Sequence, residues 1–176
     1  IYIGDWSSDV CSSDLRKELG AENNFVIGMV GRLSKEKNHL FALDFMRDVH
    51  KNNNSVKLFV AGNGDKESEL NEFVYQNKMN NYVEFLGRRD DVCDLYQGFD
   101  ILILPSIHEG FPVVAVEALM SGLPVLLSDT ITKELDFSKN VKYIPLKKEE
   151  WVKAVSSSKI NFERFAGGDL ERVVQG

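Results

Sequence analysis

At 176 residues the chain is long enough for one domain with a real core, and a composition of 43% hydrophobic and 27% charged residues is that of an ordinary globular protein. A net charge of −6 with scattered Lys and Arg leaves no electrostatic footprint for nucleic acid. No apolar run approaches the ~20 residues needed to span a bilayer, and the start of the chain lacks the charged-then-apolar pattern of a signal peptide.

Residues 1–15 (IYIGDWSSDVCSSDL) stand apart. WSSDV and CSSDL are near copies, rich in Ser and Asp, without sustained helical or strand period, so this stretch is expected to be disordered or foreign to the fold. A regular alternation begins at Arg16. Phe25–Val30 reads as a buried strand. It is followed by the loop GRLSKEK and a helix over about 38–51, with Ala42, Phe45, Met46 and Val49 at helical spacing. Val56–Ala61 is a second strand, GNGD its loop, and about 66–78 a helix with Leu70, Phe73 and Val74 inward. Tyr82–Leu86 is a third strand. The loop GRRD leads to a short helix that groups Val92, Leu95 and Tyr96. Asp100–Pro105 is a fourth strand, Val113–Met120 a helix, Pro124–Leu127 a fifth strand and Val141–Leu146 a sixth. From Trp151 the pattern fades: WVKAV could begin a helix, but a Ser run and a Gly-Gly break follow, and 151–176 is expected to be a poorly determined tail.

Short apolar strands alternating with helices imply right-handed crossovers and a doubly wound, mostly parallel α/β sheet covered on both faces, a Rossmann-like domain over 16–150. Such sheets bind ligands at the carboxyl ends of their strands. Arg32, Lys37, Asn63, Arg88, Glu109 and Glu117 all fall in or just after loops that follow strands, and are expected to converge there.

The stretch Ser106–Asp129 (SIHEGFPVVAVEALMSGLPVLLSD) carries the strongest signal. Pro112 is placed as the first helical residue, where its missing N–H is no loss. From Val113 to Met120 the helix is apolar on every face except at Glu117, which predicts a buried helix and a buried Glu117 with hydrogen-bond or charge partners. Glu109 lies in the preceding loop, near the N–H groups of Gly110 and Phe111, where unpaired donors and the helix dipole favour an anion. A ligand with phosphate in its middle and hydroxyls at both ends, such as a nucleoside diphosphate sugar, fits this arrangement.

Four segments, GMVGRLSKEKN, FVAGNGD, VEFLGRRDDV and ILPSIHEGFPVVAVEALMSGLPVLLSD, together resemble in that order the C-terminal half of retaining glycosyltransferases of family 4, which have the GT-B fold. The resemblance covers about residues 24–146 and is closest in flavour to bacterial exopolysaccharide and capsule-type transferases. It implies that Arg32 and Lys37 clasp the donor diphosphate, that Gly62 and Gly64 let backbone lie close to the donor, and that Gly87 and Arg88 lie by the nucleobase. It further implies that Glu109 contacts the sugar hydroxyls as the catalytic carboxylate and Glu117 the ribose hydroxyls, with phosphate at the N–H groups around Gly110, Phe111, Pro112 and Val113. No metal and no other cofactor is implied, because basic residues and the helix start neutralise the diphosphate. The chemistry implied is transfer of a sugar from a nucleotide donor, a UDP-sugar above all, to a hydroxyl acceptor with retention. The acceptor, a sugar or glycolipid, is expected on an N-terminal domain that this polypeptide lacks, so the chain alone is expected to be a donor-binding fragment without efficient transfer. The location implied is the cytoplasm, at most peripheral to the inner face of the membrane.

Plainer readings compete with each assignment. Glu117 could be a structural ion pair and Glu109 a solvated loop residue. His108 is expected to be a spectator beside a helix start, His39 and His50 surface residues, and Cys93 a small hydrophobe on its helix. Cys11 and Cys93 have no metal-ligand spacing and make no disulfide framework. Two other functions remain open on the residues. One is a non-catalytic nucleotide-sugar-binding module working with a separate acceptor-binding subunit. The other is a dinucleotide-binding oxidoreductase domain, which needs a glycine fingerprint after the first strand that GRLSKEK does not supply.

Overall fold

A computed structural model describes residues 9–136 and 138–156, with side chains from residue 14 onward. In chain order the elements are α1 (Asp9–Glu18), β1 (Phe25–Val30), α2 (His39–Asn52), β2 (Val56–Ala61), α3 (Glu67–Gln76), β3 (Val83–Gly87), α4 (Val92–Gly98), β4 (Ile101–Leu104), α5 (Val113–Met120), β5 (Val125–Ser128), β6 (Val141–Ile144) and α6 (Lys148–Ser156). The six strands form one sheet in the order β3-β2-β1-β4-β5-β6, and every neighbouring pair is parallel. Strand order therefore reverses between β1 and β4. A crevice at that point, outside the carboxyl ends of the strands, is where sheets of this winding accept ligands. The pairing there is short, Ile27 with Ile101 and Gly28 with Leu102, whereas β1 and β2 pair along their whole length.

The period-two alternation of the strands builds a core on each face. Ile27, Met29, Leu58, Val60, Ile101, Ile103, Leu126 and Ile144 point to one side, under α2, α3 and α6. Val26, Val30, Phe59, Ala61, Leu102, Leu104, Val125 and Leu127 point to the other, under α1, α4 and α5. On the first face Phe41, Phe45 and Trp151 cluster, with Phe45 and Trp151 stacked at 5.5 Å between centroids, and the Trp151 indole N–H donates to the Pro145 carbonyl at 2.9 Å. On the second, the Phe99 ring lies so close over Gly28 that a Cβ there would overlap it.

At both ends the described helices extend past the bounds the sequence suggests. Residues 1–8 lie outside the described residues, but helix α1 already begins at Asp9, inside the stretch set apart by its composition. Its Leu15 is buried in the second core and packs against Gly98, while Arg16 pairs with Asp100 at 2.7 Å. Local polarity failed as a guide because tertiary packing, not intrinsic pattern, supplies most of a short helix's stability. At the other end the domain does not stop at 150. Trp151, Ala154 and Val155 on α6 are part of the first core, and residues 157–176 lie outside the described residues.

Candidate functional site

The loops that leave the carboxyl ends of the strands are tied to one another by backbone hydrogen bonds. Gly31 N–H donates to Ala61 O, Leu33 N–H to Asn63 O and Lys66 N–H to Leu33 O, joining the loops after β1 and β2; Gly62 N–H donates to Gly87 O, joining those after β2 and β3. Across the crevice Ile107 N–H donates to Glu36 O at 2.8 Å, and the Asn38 side chain donates to Pro105 O at 3.0 Å. Asn38 holds the left-handed conformation (φ 57°) just before α2, one that Asn tolerates better than most residues.

Lys37 and Glu109 face each other across this crevice. Their side chains meet at 2.8 Å between Nζ and Oε1, and the Glu109 side chain is 8% exposed. The Ser106 hydroxyl donates to the same carboxylate oxygen. Ser106 is itself fully buried, its carbonyl accepting from Ser128 Oγ and, at 2.9 Å, from Thr130 Oγ1. One carboxylate is thus held by a cation from the β1 loop and a hydroxyl from its own loop, in a position fixed by the β5 loop. A carboxylate so far out of water needs such partners.

Helix α5 begins beside it. Pro112 is the residue before the helix rather than its first residue, with ψ 79°, and its carbonyl accepts from Ala115 N–H. Val113 N–H is occupied by Phe111 O, so this donor lies turned into the chain. The N–H groups of Gly110 and Phe111 donate to no described residue. The helix is not buried on every face. Ala115 and Ala118 are buried, whereas Val113 is 57% and Met120 45% exposed, and Glu117 lies exposed between them. An all-apolar helix signals burial only where another layer covers both sides, and among the described residues nothing covers the outer side of α5. Glu117 is nonetheless partnered: Tyr96 on α4 donates its phenol O–H to Oε2 at 3.0 Å.

Other candidate residues fall in different surroundings. Arg32 is 74% exposed and lies 3.7 Å from Asp65, so it does not share Lys37's environment. Gly62 has φ 143°, and a Cβ on it would lie 1.9 Å from Gly31 O; one on Gly64 would lie 2.4 Å from Leu33 O. The close approach these glycines permit is therefore backbone to backbone between two loops. Gly87 has a left-handed φ of 64° with open space around it, and Arg88 is exposed beside Asp90. The neighbouring Arg89, which the sequence did not single out, bonds Asp91 through two nitrogens and Glu18 at 3.2 Å, anchoring α1 to the β3 loop. Asp91 above all, and Glu18 behind it, hold the Arg89 pKa above its ordinary value.

His39 and Cys93 depart from expectation. His39 is buried, 3% exposed, and its ring nitrogens make no hydrogen bond of good geometry. Burial drives its pKa down to about 4, opposed by the Ser34 backbone and reinforced by the charge of Lys37. His50 is half-buried and stacked on Tyr82 at 3.8 Å, His108 lies exposed in the loop before α5, and Cys93 is exposed. Helical spacing alone placed His39 outward, because the β1 loop that folds over the start of α2 has no periodic signature. Among the described residues no group of His, Cys, Asp and Glu could hold a metal ion, and no helix is long and apolar enough to cross a membrane.

Residues 12–154 match the family described as glycosyl transferases group 1. EpsF of Bacillus subtilis (strain 168), a glycosyltransferase by name, is 37% identical over 116 residues, covering 66% of this chain and 30% of EpsF. An Escherichia coli UDP-Gal:alpha-D-GlcNAc-diphosphoundecaprenol alpha-1,3-galactosyltransferase is 36% identical over 90 residues, 48% of this chain and 23% of that one. The structure of Anabaena Alr3699/HepE in complex with UDP and glucose superposes with a TM-score of 0.79 at 26% identity, over 90% of this chain and 45% of HepE. The chain thus spans less than a third of the two sequence relatives and less than half of HepE.

Proposed function

The chain belongs to the glycosyl transferases group 1 family, and from that premise we propose that it binds the nucleotide-sugar donor, a UDP-sugar, for transfer with retention to a hydroxyl acceptor. Its sheet is a Rossmann-like half of a GT-B fold. The observation that carries the proposal is the Lys37–Glu109 pair spanning the crevice where strand order reverses, beside the start of α5. The UDP and glucose held by HepE, and the UDP-Gal in the name of the galactosyltransferase, support the choice of donor.

In this reading the donor diphosphate lies along the crevice. Lys37 and, from its exposed position, Arg32 approach the phosphates, and the N–H groups of Gly110 and Phe111 with the positive end of α5 complete the anion site. Glu109 receives the hydroxyls of the transferred sugar. Glu117 receives the ribose hydroxyls, and the loop at Gly87 and Arg88 lies toward the base. The bond between the anomeric carbon and the β-phosphate oxygen breaks with its electron pair leaving on the phosphate. The acceptor oxygen bonds to the anomeric carbon on the same face, and the proton of the acceptor hydroxyl passes to the departing phosphate oxygen. Cations and helix donors stabilise the charge that develops on the leaving group, the usual largest electrostatic contribution to such steps. Glu109 and Glu117 differ too much in setting to form an acid and nucleophile pair of the glycosidase type, because only Glu109 is enclosed beside the crevice cation.

Titration of the chain with UDP by calorimetry tests the reading. Lys37→Ala and Glu117→Ala should each weaken binding about tenfold or more, the worth of a charge-assisted hydrogen bond. Wild-type affinity in both variants would overturn the residue assignments.

A further inference from the structure

Glu117 stands out among the exposed residues of α5 because its carboxylate accepts a hydrogen bond from a fully buried tyrosine. Tyr96 is fully buried in the second core, on a different helix, and its phenol reaches outward to Glu117 Oε2. A glutamate on an exposed helix face ordinarily samples many rotamers, and fixing it for a ligand costs that freedom. Here the side chain is held before any ligand arrives. The bond takes up one lone pair of Oε2 and leaves Oε1 open, so the carboxylate presents a defined plane to a pair of vicinal hydroxyls. We propose that Tyr96 is a positioning residue for nucleotide recognition: its hydroxyl orients the Glu117 carboxylate so that it accepts both hydroxyls of the ribose. The inference rests on the reading that Glu117 meets the ribose. Burial, and after it the charge of Glu117, push the Tyr96 phenol pKa far up, so the hydroxyl remains a donor throughout the working pH range.

The test uses the chain with two ligands, UDP and 2′,3′-dideoxy-UDP, and three variants, Tyr96→Phe, Glu117→Ala and the double variant. Tyr96→Phe keeps the ring and removes only the donor. It should weaken UDP by about three- to tenfold, the cost of ordering one rotamer-rich side chain on binding, and leave the affinity for dideoxy-UDP unchanged. In the Glu117→Ala background it should weaken UDP no further. Equal loss for UDP and dideoxy-UDP would show that Tyr96 only packs, and an unchanged UDP affinity would also overturn the proposal. The two readings fail separately. If Glu117→Ala keeps the wild-type preference for UDP over dideoxy-UDP, the ribose assignment falls; if it abolishes that preference while Tyr96→Phe binds like wild type, only the role of Tyr96 falls. Should Tyr96→Phe not fold, 3-fluorotyrosine at 96 keeps both ring and donor. Its fluorine resonance must then move on Glu117→Gln, and further on adding UDP than on adding dideoxy-UDP; a resonance indifferent to both overturns the proposal.

Discussion

Replacing His39 by Leu should remove a specific part of the protein's acid sensitivity. In the folded chain the imidazole titrates at about 4 instead of 6.5, because burial disfavours the charged ring. The unfolded chain therefore binds a proton at His39 between these values while the folded chain does not, and stability rises with pH across that window. The contribution is fully present above pH 6.5 and is lost as the pH falls toward 4. At 1.36 kcal/mol per unit the gap of about 2.5 units gives roughly 3 kcal/mol. Urea unfolding of wild type and His39→Leu at half-unit steps from pH 4 to 7, in 0.15 M salt, isolates this group, since the carboxylates titrate in both proteins. The wild-type curve should fall by about 3 kcal/mol more than the variant's on acidification. At pH 7 the variant should be no less stable, because it deletes a polar ring whose nitrogens make no good hydrogen bond. Parallel curves would mean that the ring is solvated in the folded state and that the β1 loop does not close over it.

Gly62→Ala is expected to cost more than about 3 kcal/mol and to abolish UDP binding with it, since its Cβ would meet Gly31 O at 1.9 Å and its φ is 143°; a urea midpoint within error of wild type would refute the account of the laced loops. Trp151→Ala should lower stability by about 3–5 kcal/mol, as for other large core truncations. That outcome, read from urea unfolding followed by far-UV circular dichroism, would mark α6 as integral to the domain, whereas a loss below about 1 kcal/mol would return the boundary to residue 150.

Strands were readable wherever a continuous apolar run had no rival explanation. Phe25–Val30 and Val56–Ala61 have the bounds their sequences suggest, since strands buried on both faces need no alternation to be recognised. The loops after them could be picked out as a candidate site because polar groups recur there. What could not be read were properties set by a partner distant in sequence. Leu15 is core because Gly98 offers it a recess. Glu117 is exposed because nothing described covers the outer side of α5, and it is oriented because a tyrosine 21 residues away reaches it. Glycines 62 and 64 were picked out as letting backbone lie close to the donor; in the folded chain the group that lies against them is the backbone of the neighbouring loop. The carboxylate most enclosed by the fold, Glu109, carried no apolar context in its own loop; its shelter comes from Lys37, Ser106 and the β5 loop behind them.

The lacing of the loops after β1 and β2 also limits how such a domain can be re-engineered or can diverge. The two loops share a carbonyl of Leu33, a carbonyl of Asn63 and the Gly62–Gly31 contact, so neither has a shape of its own. Swapping one of them from a relative, to change which donor is accepted, would import half of a mated surface. The natural unit of exchange is the pair, residues 31–38 together with 62–66, and chimeras cut between them should lose folding before they gain a new specificity.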